Sequence, residues 1–355
     1  MKSSRHRLSS PRSYDRSVST PGTGIGVAWA PGRVNLIGEH TDYSGGLVLA
    51  VAIQFGIRLD IASVGVDVSL VSERFGAAAS FSPDGSGPAA TGWARYAQAV
   101  AYELDQLGRP PVGLAGTVTS DLPDGAGLSS SAALEVAVAL ALCAAADFEL
   151  DPLELALACQ RAELRAVGVP CGILDQAASL LGRAGHCVLL DCGTLEHRLV
   201  SLPVGAALVV VDSGVQHSHE TSGYAQRREE LEAGMPSRVR HVRTENQRVL
   251  DMAAALEHDD LAAAGRLLLE SHSSLRDDYE VSIPELDQLV ELADEAGAYG
   301  ARLLGGGFGG SILALTDTAH ADALATRVSA AYRERTGHAG AYLVAVASAG
   351  ARVQR

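Results

Sequence analysis

The sequence predicts an α+β fold, and three observations carry that reading. Strand-like and helix-like stretches mix without a regular β-α alternation. The chain has 355 residues, 47% of them hydrophobic and 20% charged, enough for a large core and two domains. Glycine-rich turns separate the apolar runs.

In chain order, residues 1–23 are polar and arginine-bearing with two prolines, and read as a disordered tail with neither a signal peptide nor an anchor. Residues 24–63 alternate short apolar runs with glycine turns. Ile57, Leu59 and Ile61 interleave with Arg58 and Asp60, the two-residue period of a half-buried strand. Residues 83–92 read as a loop, with a helix from about Trp93, a strand over 112–119 and an apolar helix from Ser129. The next helix has a complete start: Asp151 as cap, Pro152 at its first position and Glu154 to close a capping box. It runs to about Val167 and stops at Gly168. Strands follow at 187–191 and 207–212. Residues 222–296 are mostly helical, Pro284 opening the last helix of that group. A glycine turn at 303–310, a strand at 312–315, a helix near 318–336 and a strand at 341–347 complete the chain. The break at Pro203-Val-Gly205 divides it into a domain over 24–202 and another over 203–355.

Composition excludes several classes of chemistry. A net charge of −14 argues against a nucleic-acid binder, which would need a locally basic face. Lys2 is the only lysine, so neither a Walker A loop, a protein-kinase lysine nor a Schiff base is available. The cysteines, at 143, 159, 171, 187 and 192, include no C-x-x-C pair and read as reduced thiols of a cytoplasmic protein. The longest apolar run, 132–146, is too short to span a bilayer and contains Glu135, so it reads as a buried helix and no membrane partner is expected.

Three glycine-bearing segments stand out. Leu122-Pro-Asp-Gly-Ala-Gly-Leu-Ser-Ser-Ser-Ala-Ala133 carries a strand through a glycine turn into a helix start. Free N–H groups, the helix dipole and three hydroxyls there can bind phosphate without a lysine, although an ordinary serine-capped helix start has the same local pattern. Gly305-Gly-Gly-Phe-Gly-Gly310 suits a close backbone approach or a plain hairpin. Gly32-Arg-Val-Asn-Leu-Ile-Gly-Glu-His-Thr-Asp-Tyr43 crowds Arg33, Glu39, His40, Asp42 and Tyr43 beside apolar residues, a mixed hydrogen-bonding set of the kind a hydroxyl-rich ligand needs. Gly22-Thr-Gly-Ile-Gly26 is rejected as a dinucleotide fingerprint because no strand precedes it. His217, His219 and Glu220 resemble metal ligands but fall in a loop by their spacing.

In this order, and with Cys171-Gly-Ile-Leu-Asp-Gln176 and Ser271-His-Ser-Ser-Leu-Arg-Asp-Asp-Tyr-Glu-Val-Ser-Ile-Pro-Glu285, these segments resemble the galactokinases of the GHMP kinase superfamily over about residues 28–348. The resemblance implies a two-domain GHMP kinase fold. Its N-terminal domain is like ribosomal protein S5 domain 2, its C-terminal domain is ferredoxin-like, and ATP and sugar lie between them. It implies Asp175 as the catalytic carboxylate and Arg33 as the guanidinium beside the reacting groups. Glu39, His40, Thr41, Asp42, Gly172 and Tyr224 become sugar ligands. Gly125, Ala126, Gly127, Leu128, Ser129, Ser130 and Ser131 would wrap the ATP phosphates, Ser131 and Glu163 would hold Mg2+, and Trp93 would lie near the adenine. Two of these have an ordinary alternative: Glu163 as a surface charge between Arg161 and Arg165, and Asp175 as a helix-start cap. The implied reaction is transfer of the γ-phosphate of ATP to the anomeric hydroxyl of D-galactose by a monomer or weak homodimer. Departures from the usual galactokinase text at Ser44, Ala50, Leu174 and Ser311 leave N-acetylgalactosamine, arabinose or a uronic acid as other substrates. A non-catalytic galactose sensor is the remaining alternative, although such proteins lose residues from the stretch that is whole at Ser129-Ser-Ser-Ala-Ala133.

Overall fold

A computed structural model describes residues 26–123, 126–169, 171–215 and 220–354, with the side chains of 220–222 left out. The tail at 1–23, Gly125, His217, His219 and the Glu220 side chain therefore lie outside the described residues. In chain order the elements are β1 (Gly26–Ile37), β2 (Leu47–Gly65), β3 (Val68–Ser72), β4 (Ala77–Phe81), α1 (Ala94–Gln106), β5 (Gly113–Ser120), α2 (Ser130–Ala145), α3 (Pro152–Val167), α4 (Leu174–Leu181), β6 (His186–Asp191) and β7 (His197–Ser201). After the passage at 202–205 come β8 (Ala206–Asp212), α5 (Glu220–Glu232), α6 (Pro236–Glu257), α7 (Leu261–Asp277), α8 (Pro284–Glu295), β9 (Gly300–Leu304), β10 (Ser311–Asp317), α9 (Ala321–Thr336), β11 (Tyr342–Ala345) and β12 (Arg352–Gln354).

The strands form two sheets. The larger has the order β12-β1-β2-β5-β3-β4, with β6 added to the start of β2 and β7 to β6. Among the described residues its one parallel pair is β3 with β5. The smaller is β11-β8-β10-β9, antiparallel throughout. β2 is 19 residues long because its first part pairs with β6 and its second with β5. Ile57, Leu59 and Ile61 are buried while Arg58 and Asp60 are half-exposed, the alternation the sequence predicts. The last strand returns to the first sheet, where Val27 lies opposite Gln354.

Helices α1–α4 gather on the first sheet, α2 packing on β1 and β2, and α8 and α9 lie on the second. α2 is almost wholly buried, as a run of Ala, Leu and Val with no polar stripe requires. α3 begins as predicted: the Asp151 carboxylate accepts from the Leu153 N–H at 2.8 Å and Gly168 closes it with φ +72°. α6 packs on β2 and β7, and its neighbour α7 on β9, so this pair joins the two sheets. Several details differ from the sequence reading, which has no strand at β3, β4 or β12. β7 is a strand that its own first residues, His197 and Arg198, obscure. Leu303 and Leu304 end β9, so the glycine turn is 305–310 and connects a β9–β10 hairpin. Among the described residues no helix is long and apolar enough to cross a membrane, and each of the five cysteines is unpaired.

Candidate active site

The second half of β1 is a buried strand, so the charged segment that follows is anchored at its root. Arg33, 7% exposed, donates from Nε to Asp175 Oδ1 at 2.7 Å and from Nη1 to the Gly127 carbonyl at 2.7 Å. Its own N–H donates to the Leu128 carbonyl at 3.2 Å. Burial alone would lower the Arg33 pKa, but Asp175 and then Glu39 more than offset this and hold it above the ordinary value. Asp175 lies in the first turn of α4, where the helix dipole favours a carboxylate, and the cap position is Ile173. Its second oxygen accepts from the Ser129 hydroxyl. Ser129 makes no cap bond to α2 and has φ +58°. His40 (φ +61°) and Phe308 (φ +60°) share this sparsely populated backbone region, at a cost of about 1 kcal/mol or more each.

The second sheet holds the sugar-segment side of that cleft. Glu39 Oε1 accepts from the Gly305 N–H at 2.8 Å and from Arg302 Nη2 at 3.2 Å. Arg302, fully buried, also donates to the carbonyls of Asn35, Leu36 and Leu303. His40 Nε2 is 3.2 Å from the Gly306 carbonyl and Nδ1 is 3.0 Å from the Tyr43 hydroxyl. A carbonyl only accepts, so Nε2 carries the hydrogen and Nδ1 accepts from Tyr43. The Tyr43 oxygen then accepts from Tyr279 at 2.6 Å. Burial pushes the His40 pKa down to about 3, so the ring is neutral. The Tyr224 ring lies 5.5 Å from it. Asp42 is pushed up to about 7, by burial first and then by Asp175 and Glu39. Gly172 abuts it so closely that a Cβ there would lie 1.8 Å from Asp42 Oδ2. Arg33, Asp42, Glu163, Asp175, Tyr224 and Phe308 help bound a cavity of about 640 Å³.

Thr41 differs from the expectation of a sugar ligand. It is fully buried, and its hydroxyl is 2.8 Å from both the Gly38 and Leu47 carbonyls. The one-turn helix at 42–44 faces the preceding side chain inward, so Thr41 holds the turn.

On the other side, the Ala126 and Leu128 side chains are buried in the core, which leaves only their main chain for an anion. Ser131 Oγ donates to Glu163 Oε1 at 2.8 Å. Glu163 is not a surface charge: Arg161 and Arg165 both turn to Glu103, at 2.9 and 3.1 Å, and leave it facing inward. Burial, then Asp175, raises its pKa. Beyond the start of α2 a second cavity of about 760 Å³ is walled by Phe75, Trp93, Tyr96 and Leu134, with Ser130 and Ser131 at its edge. Its apolar aromatic wall suits a nucleobase. Ser131 and Glu163 supply two hard oxygen donors between the cavities. Among the described residues no three His, Cys, Asp or Glu gather as a metal cage. That donor set fits Mg2+, or the similarly hard Mn2+, shared with phosphates, and lacks the thiolate or imidazole ligands that Zn2+ or Cu2+ favours.

Of the four departures, Ser44 is exposed and donates to the Thr41 carbonyl at 2.8 Å, while Ala50, Leu174 and Ser311 are buried. Of the four, Leu174 borders the cavity of about 640 Å³. Sequence reasoning missed Arg302, although a single charge inside the apolar run 301–304 was a usable signal. It also missed the hydrogen bonds of Gln176 to Glu135 and Glu163 and of Tyr279 to Tyr43, although these residues stand in segments it had singled out.

Comparison with known proteins identifies the family. The model of the GHMP kinases N terminal domain matches residues 95–183, that of the GHMP kinases C terminal domain matches 252–334, and the galactokinase galactose-binding signature matches 13–62. The chain is 40% identical to a galactokinase of Roseiflexus sp. (strain RS-1), covering 91% of this chain and 92% of that one. It is also 40% identical to a galactokinase of Chloroflexus aggregans, covering 95% of each. The crystal structure of Lactococcus lactis galactokinase complexed with galactose superposes with a TM-score of 0.84 at 31% identity, covering 92% of this chain and 94% of that one.

Proposed function

Since the chain belongs to the galactokinase family of the GHMP kinases, we propose that its cleft transfers the γ-phosphoryl group of ATP to the anomeric hydroxyl of D-galactose, giving galactose 1-phosphate and ADP. The observation that carries this reading is the position of Asp175. One of its oxygens is bonded to Arg33 of the sugar segment and the other to Ser129 of the phosphate loop.

Asp175 accepts or orients the proton of the attacking hydroxyl. Arg33 holds the Asp175 carboxylate in place through its Nε bond and neutralises charge on the phosphoryl group in flight. Glu39, His40, Asp42, the Gly172 backbone and Tyr224 bind the sugar. Glu39 is fixed by Arg302 and Gly305, so it offers Oε2 to a hydroxyl without reorganising. His40 has both nitrogens engaged and must release Gly306 or Tyr43 to take a sugar hydroxyl. The loop from Gly125 to Ser131 receives the phosphates, and Trp93 and Tyr96 line the base cavity. Ser131 and Glu163 would hold Mg2+, which supplies charge neutralisation at the phosphates when bound. Positioning and electrostatics therefore do most of the work, as is usual for phosphoryl transfer. The five unpaired cysteines support a cytoplasmic setting, where the chain acts as a monomer or weak homodimer.

A sugar panel in an ADP-release assay tests the substrate. D-galactose should give the highest kcat/KM. Faster release with N-acetylgalactosamine, arabinose or a uronic acid would reassign the substrate. Galactose binding with no release would make the protein a sensor.

A further inference from the structure

Below the phosphate side lies a buried polar pair with no task in the reaction described so far. Glu135 stands one turn beyond Ser131 on α2 and is fully buried. Its Oε2 accepts from Gln176 Nε2 at 3.1 Å. The same nitrogen donates its other hydrogen to Glu163 Oε2 at 2.7 Å. Glu163 Oε1 already takes the Ser131 hydroxyl, and the Cys171 thiol reaches Oε2 at 3.4 Å. A side-chain amide has hydrogens at one end and lone pairs at the other. With acceptors on both sides of Nε2, only one amide orientation is tolerated, because a flip would aim the Gln176 oxygen at the Glu163 carboxylate.

The arrangement is costly. Glu135 Oε1 and Gln176 Oε1 are buried without a hydrogen-bond partner. Apolar side chains of similar volume would fill the same space without that cost. The pair is therefore poorly explained by packing and well explained by what it does to Glu163.

We propose that Gln176 and Glu135 are positioning residues for the cation that accompanies the nucleotide. Gln176 bridges the two carboxylates and fixes the rotation of Glu163, and Glu135 anchors the amide from beneath. This rests on the reading of Ser131 and Glu163 as cation ligands, and its test separates the two ideas.

Mn2+ affinity of the enzyme–ADP complex, read by electron paramagnetic resonance, reports the site without turnover. Gln176→Met and Glu135→Met, close in volume to the originals, should each weaken Mn2+ about tenfold, the usual cost of losing a partner that orients a metal ligand. Glu135→Gln keeps an acceptor for Gln176 and should stay within about threefold of wild type. Metal-free ADP affinity should be unchanged in all three. If both methionine variants bind Mn2+ normally while Glu163→Gln does not, the positioning proposal is wrong and the ligand reading stands. If Glu163→Gln also binds Mn2+ normally, the ligand reading itself fails. Should a methionine variant not fold, Gln176→Asn, whose amide is one methylene short, reads the same affinity with the same criteria.

Discussion

The two halves of the cleft are both polar and buried, yet they are built differently. The phosphate side is internal to the first sheet and its helices: Ser131 and Glu135 from α2, Glu163 from α3 and Gln176 from α4 bond to one another. The sugar segment also starts in the first sheet but is held from the second sheet and from α6. Arg302 and Gly305 grip Glu39, Gly306 meets His40, His241 Nε2 lies 3.1 Å from the Glu39 carbonyl, and Glu245 takes the Gly38 N–H at 3.0 Å. On the proposed reading the difference makes sugar affinity depend on contacts that cross to the second sheet and α6, and nucleotide and cation affinity on packing among three helices. Arg33 and Asp175 form the seam between them.

That contrast can be broken in several places. The largest effect should come from the seam. Arg33→Met leaves Asp175 without its guanidinium, and kcat should fall about 10²–10³-fold, the range seen when one preorganised charge donor is removed. Steady-state kinetics on both substrates would check it.

Next is the inter-sheet grip. Arg302→Lys keeps the charge but loses the planar fork that serves Glu39 and three carbonyls. The galactose KM should rise about tenfold, the worth of one charge-assisted hydrogen bond, while the ATP KM moves less than about twofold. Equal changes in both would deny the separation of the halves.

A smaller, pH-dependent effect should come from Asp42. Its folded pKa of about 7 lies above the ordinary carboxylate value, so the folded apo-protein binds the extra proton between about pH 4 and 7. The stability Asp42 contributes is full below that window and is lost as pH rises through about 7. Asp42→Asn should flatten the corresponding part of the Tm profile. Over the same range, ionisation should improve galactose binding in wild type and leave the variant unchanged. The smallest effect is expected at Ser44. It is exposed and bonds only its own turn, so Ser44→Asn should alter galactose kcat/KM by less than about twofold. A large change there would move substrate selection outside the described cavity.

Legibility in the sequence followed the same division. Elements whose signals are local were readable: the Asp151 cap, the Gly168 stop, the period-two strand at 57–61 and the apolar helix α2. The segments carrying Arg33, Asp175 and Ser131 were readable because glycines and clustered polar residues mark them. Partnerships were not. Nothing local pairs Arg302 with Glu39, 263 residues apart, or aims Ser129 at Asp175, 46 residues apart. Thr41 misled for the same reason, since a threonine inside a polar run gives no sign that it faces inward. Glu135 looked like one charge in a buried helix, and its meaning emerged only when Gln176 came to lie beside it.

The central claim is that the two halves meet in one catalytic carboxylate. It is tested most directly by galactose-dependent ADP release in wild type and in Asp175→Asn, with galactose and ADP binding measured on both. The account predicts robust release by wild type, a loss of about 10³-fold in the variant as a positioned proton acceptor is removed, and both ligands still bound. Turnover by the variant within tenfold of wild type would contradict it.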